Sequence, residues 1–153
     1  TLSGKARQVI DIVDNSKNAQ IYNNTIYSSK KDVVLVKFAD YGTTGDTKIP
    51  PVDNILTNNL FYVEKGVKNT AFRMWDTEDA TATLNNNLFY GVDIPEISGI
   101  TVENSVKADL ALDSDYRPAT DLSGVAIENN GGKDYNGNDL SGKNIIGALL
   151  AVK

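Results

Sequence analysis

Three stretches decide how this chain folds: Ile21-Tyr22-Asn23-Asn24-Thr25-Ile26-Tyr27, Leu56-Thr57-Asn58-Asn59-Leu60-Phe61-Tyr62 and Leu84-Asn85-Asn86-Asn87-Leu88-Phe89-Tyr90. Each reads apolar, any residue, Asn-Asn, any residue, apolar, Tyr, and Val102-Glu103-Asn104-Ser105-Val106 is a degenerate fourth copy. Upstream of each Asn pair lies another apolar strand that ends in Asp: Ile10-Asp11-Ile12-Val13-Asp14, Val36-Lys37-Phe38-Ala39-Asp40 and Phe72-Arg73-Met74-Trp75-Asp76. The distance from Asp14 to Asn23 is nine residues, and from Asp76 to Asn86 it is ten. From Asp40 to Asn58 it is 18, and the excess falls in Tyr41–Pro51, whose Gly and Pro residues mark an inserted loop.

Repeats of this length built from short strands describe a solenoid. Each period holds three strands: one ending at the Asp, one before the Asn pair and one after it. Three strands per period predict an all-β parallel β-helix, a solenoid of three to four coils over residues 1–106, with 107–153 as a C-terminal capping segment of the same domain. A sharp bend in two residues needs a left-handed backbone, which Asn tolerates better than any residue but Gly. Stacked coils then set Asn above Asn, with their amides bonded along the stack. The competing arrangement is an antiparallel sandwich, but the Asn-Gly and Asp-Gly hairpin signals are absent between these strands.

Composition narrows the chemistry. The 153 residues contain no Cys and no His, which removes disulfides, thiolate nucleophiles, imidazole metal ligands and any Ser-His-Asp triad. An enzyme with this sequence would have to work with Asp, Glu, Lys, Arg, Tyr, Ser or Thr. The net charge of −5 argues against nucleic acid and against an anionic membrane surface as partners, since both require clustered cations. The longest apolar runs, Val33–Val36 and Ile145–Val152, are far too short to span a bilayer.

The Asn-rich turn between the second and third strands resembles that of the right-handed parallel β-helices of pectate-lyase-like proteins. The tail, with Asp115-Tyr116-Arg117-Pro118, Ser123-Gly124-Val125-Ala126-Ile127, Asp134-Tyr135-Asn136-Gly137-Asn138 and Ile145-Ile146-Gly147-Ala148, resembles the closing segment of secreted bacterial β-helix proteins. Gly124 and Glu128-Asn129 depart from that closing pattern, and the lyases' Asp-His pair and the Arg-Pro pair that follows their catalytic Arg are absent. The resemblance implies a protein that is secreted or displayed on a bacterial surface. Its most direct functional implication is a polysaccharide lyase acting on an acidic glycan. The alternative is a non-catalytic carbohydrate-binding or adhesin-like module. With three Arg in the whole chain, a polyuronate groove built from these residues alone favours the alternative.

Strand alternation assigns inside and outside. Ile10, Val36 and Phe72, and likewise Ile12, Phe38 and Met74, should stack inside; Asp11, Lys37 and Arg73 should form an outward column. Asp14, Asp40 and Asp76 should form another column at the strand ends, beside Val13, Ala39 and Trp75. In lyases of this fold, the resemblance places the substrate groove on the first sheet. Lys37 and Arg73 would then be the catalytic cations, and Trp75, Asp11 and Tyr41 would contact substrate. Asp40, Asp76, Glu78 and Asp79 would hold Ca²⁺ that neutralises the uronate. The plainer readings are a charge ladder on a solvated sheet and Asp residues that cap their own turns. Asp134–Asp139 likewise reads as a calcium-binding run or simply as an Asn-Gly turn. Since Ile10 and Ile12 would otherwise meet water, the first coil is expected to pair with an N-terminal remainder of the same β-helix or with another chain.

Overall fold

The structure, a computed structural model, describes residues 8–42, 47–119, 133–141 and 146–148. Eleven strands occur among them: β1 (Gln8–Val13), β2 (Gln20–Tyr22), β3 (Thr25–Ser28), β4 (Val34–Ala39), β5 (Asn54–Thr57), β6 (Leu60–Val63), β7 (Thr70–Trp75), β8 (Ala82–Asn85), β9 (Leu88–Tyr90), β10 (Ile100–Glu103) and β11 (Val106–Lys107). They build three parallel sheets, ordered β1-β4-β7, β10-β8-β5-β2 and β11-β9-β6-β3. The chain therefore visits the three sheets in rotation, as the repeat demands, and the antiparallel alternative is excluded. The fourth passage lacks a strand in the first sheet. Residues 91–99 take its place after Gly91, whose φ of +68° and close approach to the Val63 carbonyl leave no room for a Cβ.

The register matches the sequence alignment residue for residue. Ile10 pairs with Val36 and Val36 with Phe72; Asp11 pairs with Lys37 and Lys37 with Arg73. Ile21, Leu56, Leu84 and Val102 form a continuous row through the second sheet. Inside, all four Phe pack together, with Phe61 and Phe89 stacked at 4.8 Å and Phe61 edge-on to Phe72 at 5.4 Å. Phe38 continues this row beside Phe72.

The turns behave as the Asn pattern requires. Asn23, Asn58, Asn86 and Asn104 each lead a pair and each adopt a left-handed backbone, with φ between 48° and 56°. The second residue of each pair carries the ladder. The Asn59 Oδ1 accepts the backbone N–H and the Nδ2 of Asn24, both at 3.0 Å, and the Asn87 Oδ1 accepts those of Asn59 at 2.9 and 3.1 Å. Ser105 Oγ closes the row by accepting the Asn87 N–H at 3.1 Å. Asn59 and Asn87 are wholly buried, so each amide is satisfied by its neighbours and not by water.

The outer face of the third sheet is apolar. Leu60 and Leu88 are fully buried there against Leu110 and Ile146, with Tyr62, Tyr90 and Val106 alongside. The described parts of the tail thus lie along the flank of the stack. The Gly147 N–H donates to the Asn58 carbonyl at 2.8 Å and the Ala148 N–H to Thr25 Oγ1 at 3.1 Å. The Ser123–Ile127 and Glu128-Asn129 parts of the expected closing pattern, and Ile145, lie outside the described residues.

Candidate functional site

The first sheet brings Asp11, Lys37, Arg73 and Trp75 onto one outer face. Alternation sends Asp11, Lys37 and Arg73 outward at one level, and Val13, Ala39 and Trp75 at the next. Asp14 and Asp76 end their strands in the left-handed region, with φ of 47° and 55°. Asp40 does not, because the chain there continues into the insertion and Gly42 takes the positive φ instead.

Lys37 is outward in register but is not solvated, which corrects the expectation of an open cationic column. Its side chain is only 9% exposed and its Nζ lies 2.9 Å from Asp11 Oδ2. Tyr41 folds back over it from the strand end, accepting a hydrogen bond from the same Nζ, with its ring centroid 5.1 Å away. Burial alone would push the ammonium down. The hydrogen bonds to Tyr41 and Asp11 and the Asp11 charge outweigh burial, and the lysine is held above its ordinary value. Such a lysine supplies positive charge and hydrogen bonds; it is a poor proton acceptor at neutral pH.

Arg73 and Trp75 form a second unit beside it. The guanidinium lies 5.4 Å from the Trp75 ring centroid, a cation–π pair, and Trp75 remains 49% exposed. Arg73 makes no ion pair among the described residues, so its donors are available to a ligand. Tyr41, half exposed, stands at the rim.

The four proposed calcium ligands do not converge. Among the described residues no three Asp or Glu side chains are grouped so as to hold a metal ion. Asp40 is buried and its Oδ1 accepts the Gly42 N–H at 3.0 Å, the self-capping turn chemistry that favours Asp at such positions. Asp76 pairs with Lys48 at 2.6 Å, while Glu78 and Asp79 point into solvent on the following turn. Asp134 likewise spends its carboxylate locally, accepting the backbone N–H groups of Asn136 and Asn138. The insertion flanks the strand ends through Tyr41 at one side and Lys48 at the other; its residues 43–46 lie outside the described residues.

A second aromatic region was not singled out from sequence. Tyr27, Tyr62 and Tyr90 stack down the outer face of the third sheet at 5.8 and 4.4 Å, and Tyr116 meets Tyr27 edge-on at 4.9 Å. Tyr116 has a φ of 63°, unusual for a bulky side chain. Asp113 holds that turn by accepting the N–H groups of Asp115 and Arg117 and the Arg117 Nε, contacts that also lower its carboxyl pKa. The signal was present in the repeat: Leu60, Leu88 and the Tyr column are outward positions that are too apolar for a solvated face.

Comparison of the chain with family models, with curated proteins and with solved structures finds no match. Among the described residues no helix is long and apolar enough to cross a membrane.

Proposed function

We propose that the chain is part of a right-handed parallel β-helix of the pectate-lyase-like kind, and that the outer face of its first sheet binds an acidic polysaccharide outside the cell without cleaving it. One observation carries this reading: an arginine with no ion pair among the described residues, set over a half-exposed tryptophan, beside a buried lysine. Aromatic rings offer sugars a flat apolar surface, and a guanidinium offers a uronate carboxylate two parallel hydrogen bonds. Lys37 lies a single strand away, its charge paired with Asp11.

Binding is favoured over elimination because elimination needs a deprotonated base, and neither cation of this face is one. Lys37 is held as the ammonium, and an arginine keeps its proton at any ordinary pH. The separating experiment incubates the protein with polygalacturonate and alginate, with and without Ca²⁺. Retarded migration in gels containing the polymer, lost in Trp75→Ala and Arg73→Ala, supports binding. Appearance of the ultraviolet chromophore of an unsaturated uronate would replace it with the lyase reading.

A further inference from the structure

Tyr27, Tyr62 and Tyr90 occupy one column of the third sheet, in register through β3, β6 and β9. The two steps of this stack are unequal. The Tyr62 and Tyr90 rings lie 4.4 Å apart between centroids and 19° from parallel, whereas Tyr27 and Tyr62 lie 5.8 Å apart. Tyr27 is also tied down, donating its hydroxyl to Glu64 and meeting Tyr116 edge-on. Tyr62 and Tyr90 are partly buried beside Leu60 and Leu88. Burial first, then the charge and hydroxyl of Tyr90, push the Tyr62 pKa up, so the ring meets an oxidant as a neutral phenol.

The chain has no Cys, one Met and one Trp against seven Tyr. No disulfide can link its coils, and one-electron oxidation falls mainly on its aromatic rings. Trp75, the more easily oxidised ring, has the Arg73 guanidinium 5.4 Å from its centroid. A cation held there opposes the positive charge that oxidation would create on the indole. Tyr22, Tyr41 and Tyr135 are more exposed, but none of them has a second tyrosine ring against it among the described residues.

We propose that Tyr62 and Tyr90 form an oxidative cross-linking site, joined ring to ring by a carbon–carbon bond when a haem peroxidase and hydrogen peroxide act on the protein. Each phenol gives up one electron and its hydroxyl proton. The two radicals couple between the Cε carbons beside the hydroxyls. The hydrogen on each joined carbon then moves to oxygen, which restores both phenols. The two hydrogen atoms removed reduce one hydrogen peroxide to two waters. The bond fastens the second coil to the third at the end of β9, a strand of only three residues, just before Gly91 turns the chain out of the sheet. It constrains the unfolded chain between Tyr62 and Tyr90 as a disulfide would.

The test treats dilute protein with a haem peroxidase and hydrogen peroxide and then digests it with trypsin. The expected product is peptide 49–65 joined to peptide 74–107, lighter than their sum by two hydrogen atoms and carrying the blue fluorescence of dityrosine. Tyr62→Phe and Tyr90→Phe, which keep a stacked ring, should each abolish this product, and Tyr27→Phe should leave it in place. Its yield per chain should not change on dilution. A link made through Tyr27, Tyr41 or Tyr135 instead, a yield that rises with protein concentration, survival of the product in either Phe variant, or no link at all would overturn the proposal.

Discussion

The outer faces of the first and third sheets are built by the same alternation and put to opposite uses. On the first, Asp11, Lys37, Arg73 and Trp75 point outward, and half of Trp75 stays in solvent. On the third, Leu60 and Leu88 occupy the outward positions and are fully buried under Leu110 and Ile146. One face is held by burial of apolar surface, the other by a local ion pair and a cation–π contact. Outward position in a repeat therefore says nothing about exposure until what covers each column is known.

This contrast is sharpest where a side chain is removed from the covered face. Leu60→Ala should lower stability by about 3 kcal/mol, because it leaves a cavity between sheet and tail. Chemical denaturation checks it, and binding at the first sheet should persist under native conditions. Gly147→Ala should cost about 2 kcal/mol. Its φ of +84° strains any Cβ, and that atom would stand 2.7 Å from Thr25 Oγ1, displacing the tail from β3. The expected signature is a lower Tm with faster proteolysis of the tail.

Effects on the first sheet should be smaller for stability and larger for binding. Asp11→Asn removes the charge paired with buried Lys37 and should cost about 1–2 kcal/mol at neutral pH. The lysine pKa is raised in the folded state, so its contribution is complete at neutral pH and up to the ordinary lysine value of about 10.4. It is lost as pH rises through the raised value. The stability gap between Asp11→Asn and the parent protein should therefore be constant in the neutral range and close in strongly alkaline solution. Arg73→Ala should change stability by no more than ~0.5 kcal/mol and abolish retention by acidic polysaccharide. If it lowers Tm by several degrees and leaves retention intact, Arg73 belongs to a structural ladder.

Much of the fold was legible because the Asn pairs and the Asp-ended strands carry both the period and the register. The row Asp11-Lys37-Arg73 and the left-handed Asn23, Asn58 and Asn86 follow from spacing and from the conformational tolerance of Asn. The missing strand of the fourth passage was less legible, since the alternation of Val92-Asp93-Ile94 is cut short by Pro95 between Gly91 and Gly99. The outer face of the first sheet was legible in its members but not in their states. Spacing placed Lys37 outward, while its burial depends on Tyr41 turning back over it, a contact set by the loop and invisible in the strand pattern. The acidic quartet is not grouped for a similar reason: Asp40 spends its carboxylate on the Gly42 N–H, Asp76 pairs with Lys48, and Glu78 and Asp79 face solvent.

The most direct measurement is a two-dimensional amide NMR titration of the protein with short oligogalacturonates. The expected result is saturable shift changes at residues 37–41 and 73–76 together with the Trp75 indole N–H, with β6, β9 and Leu110 unchanged. Shifts confined to the third sheet and tail, or none at saturating sugar, would contradict a polysaccharide-binding face on the first sheet.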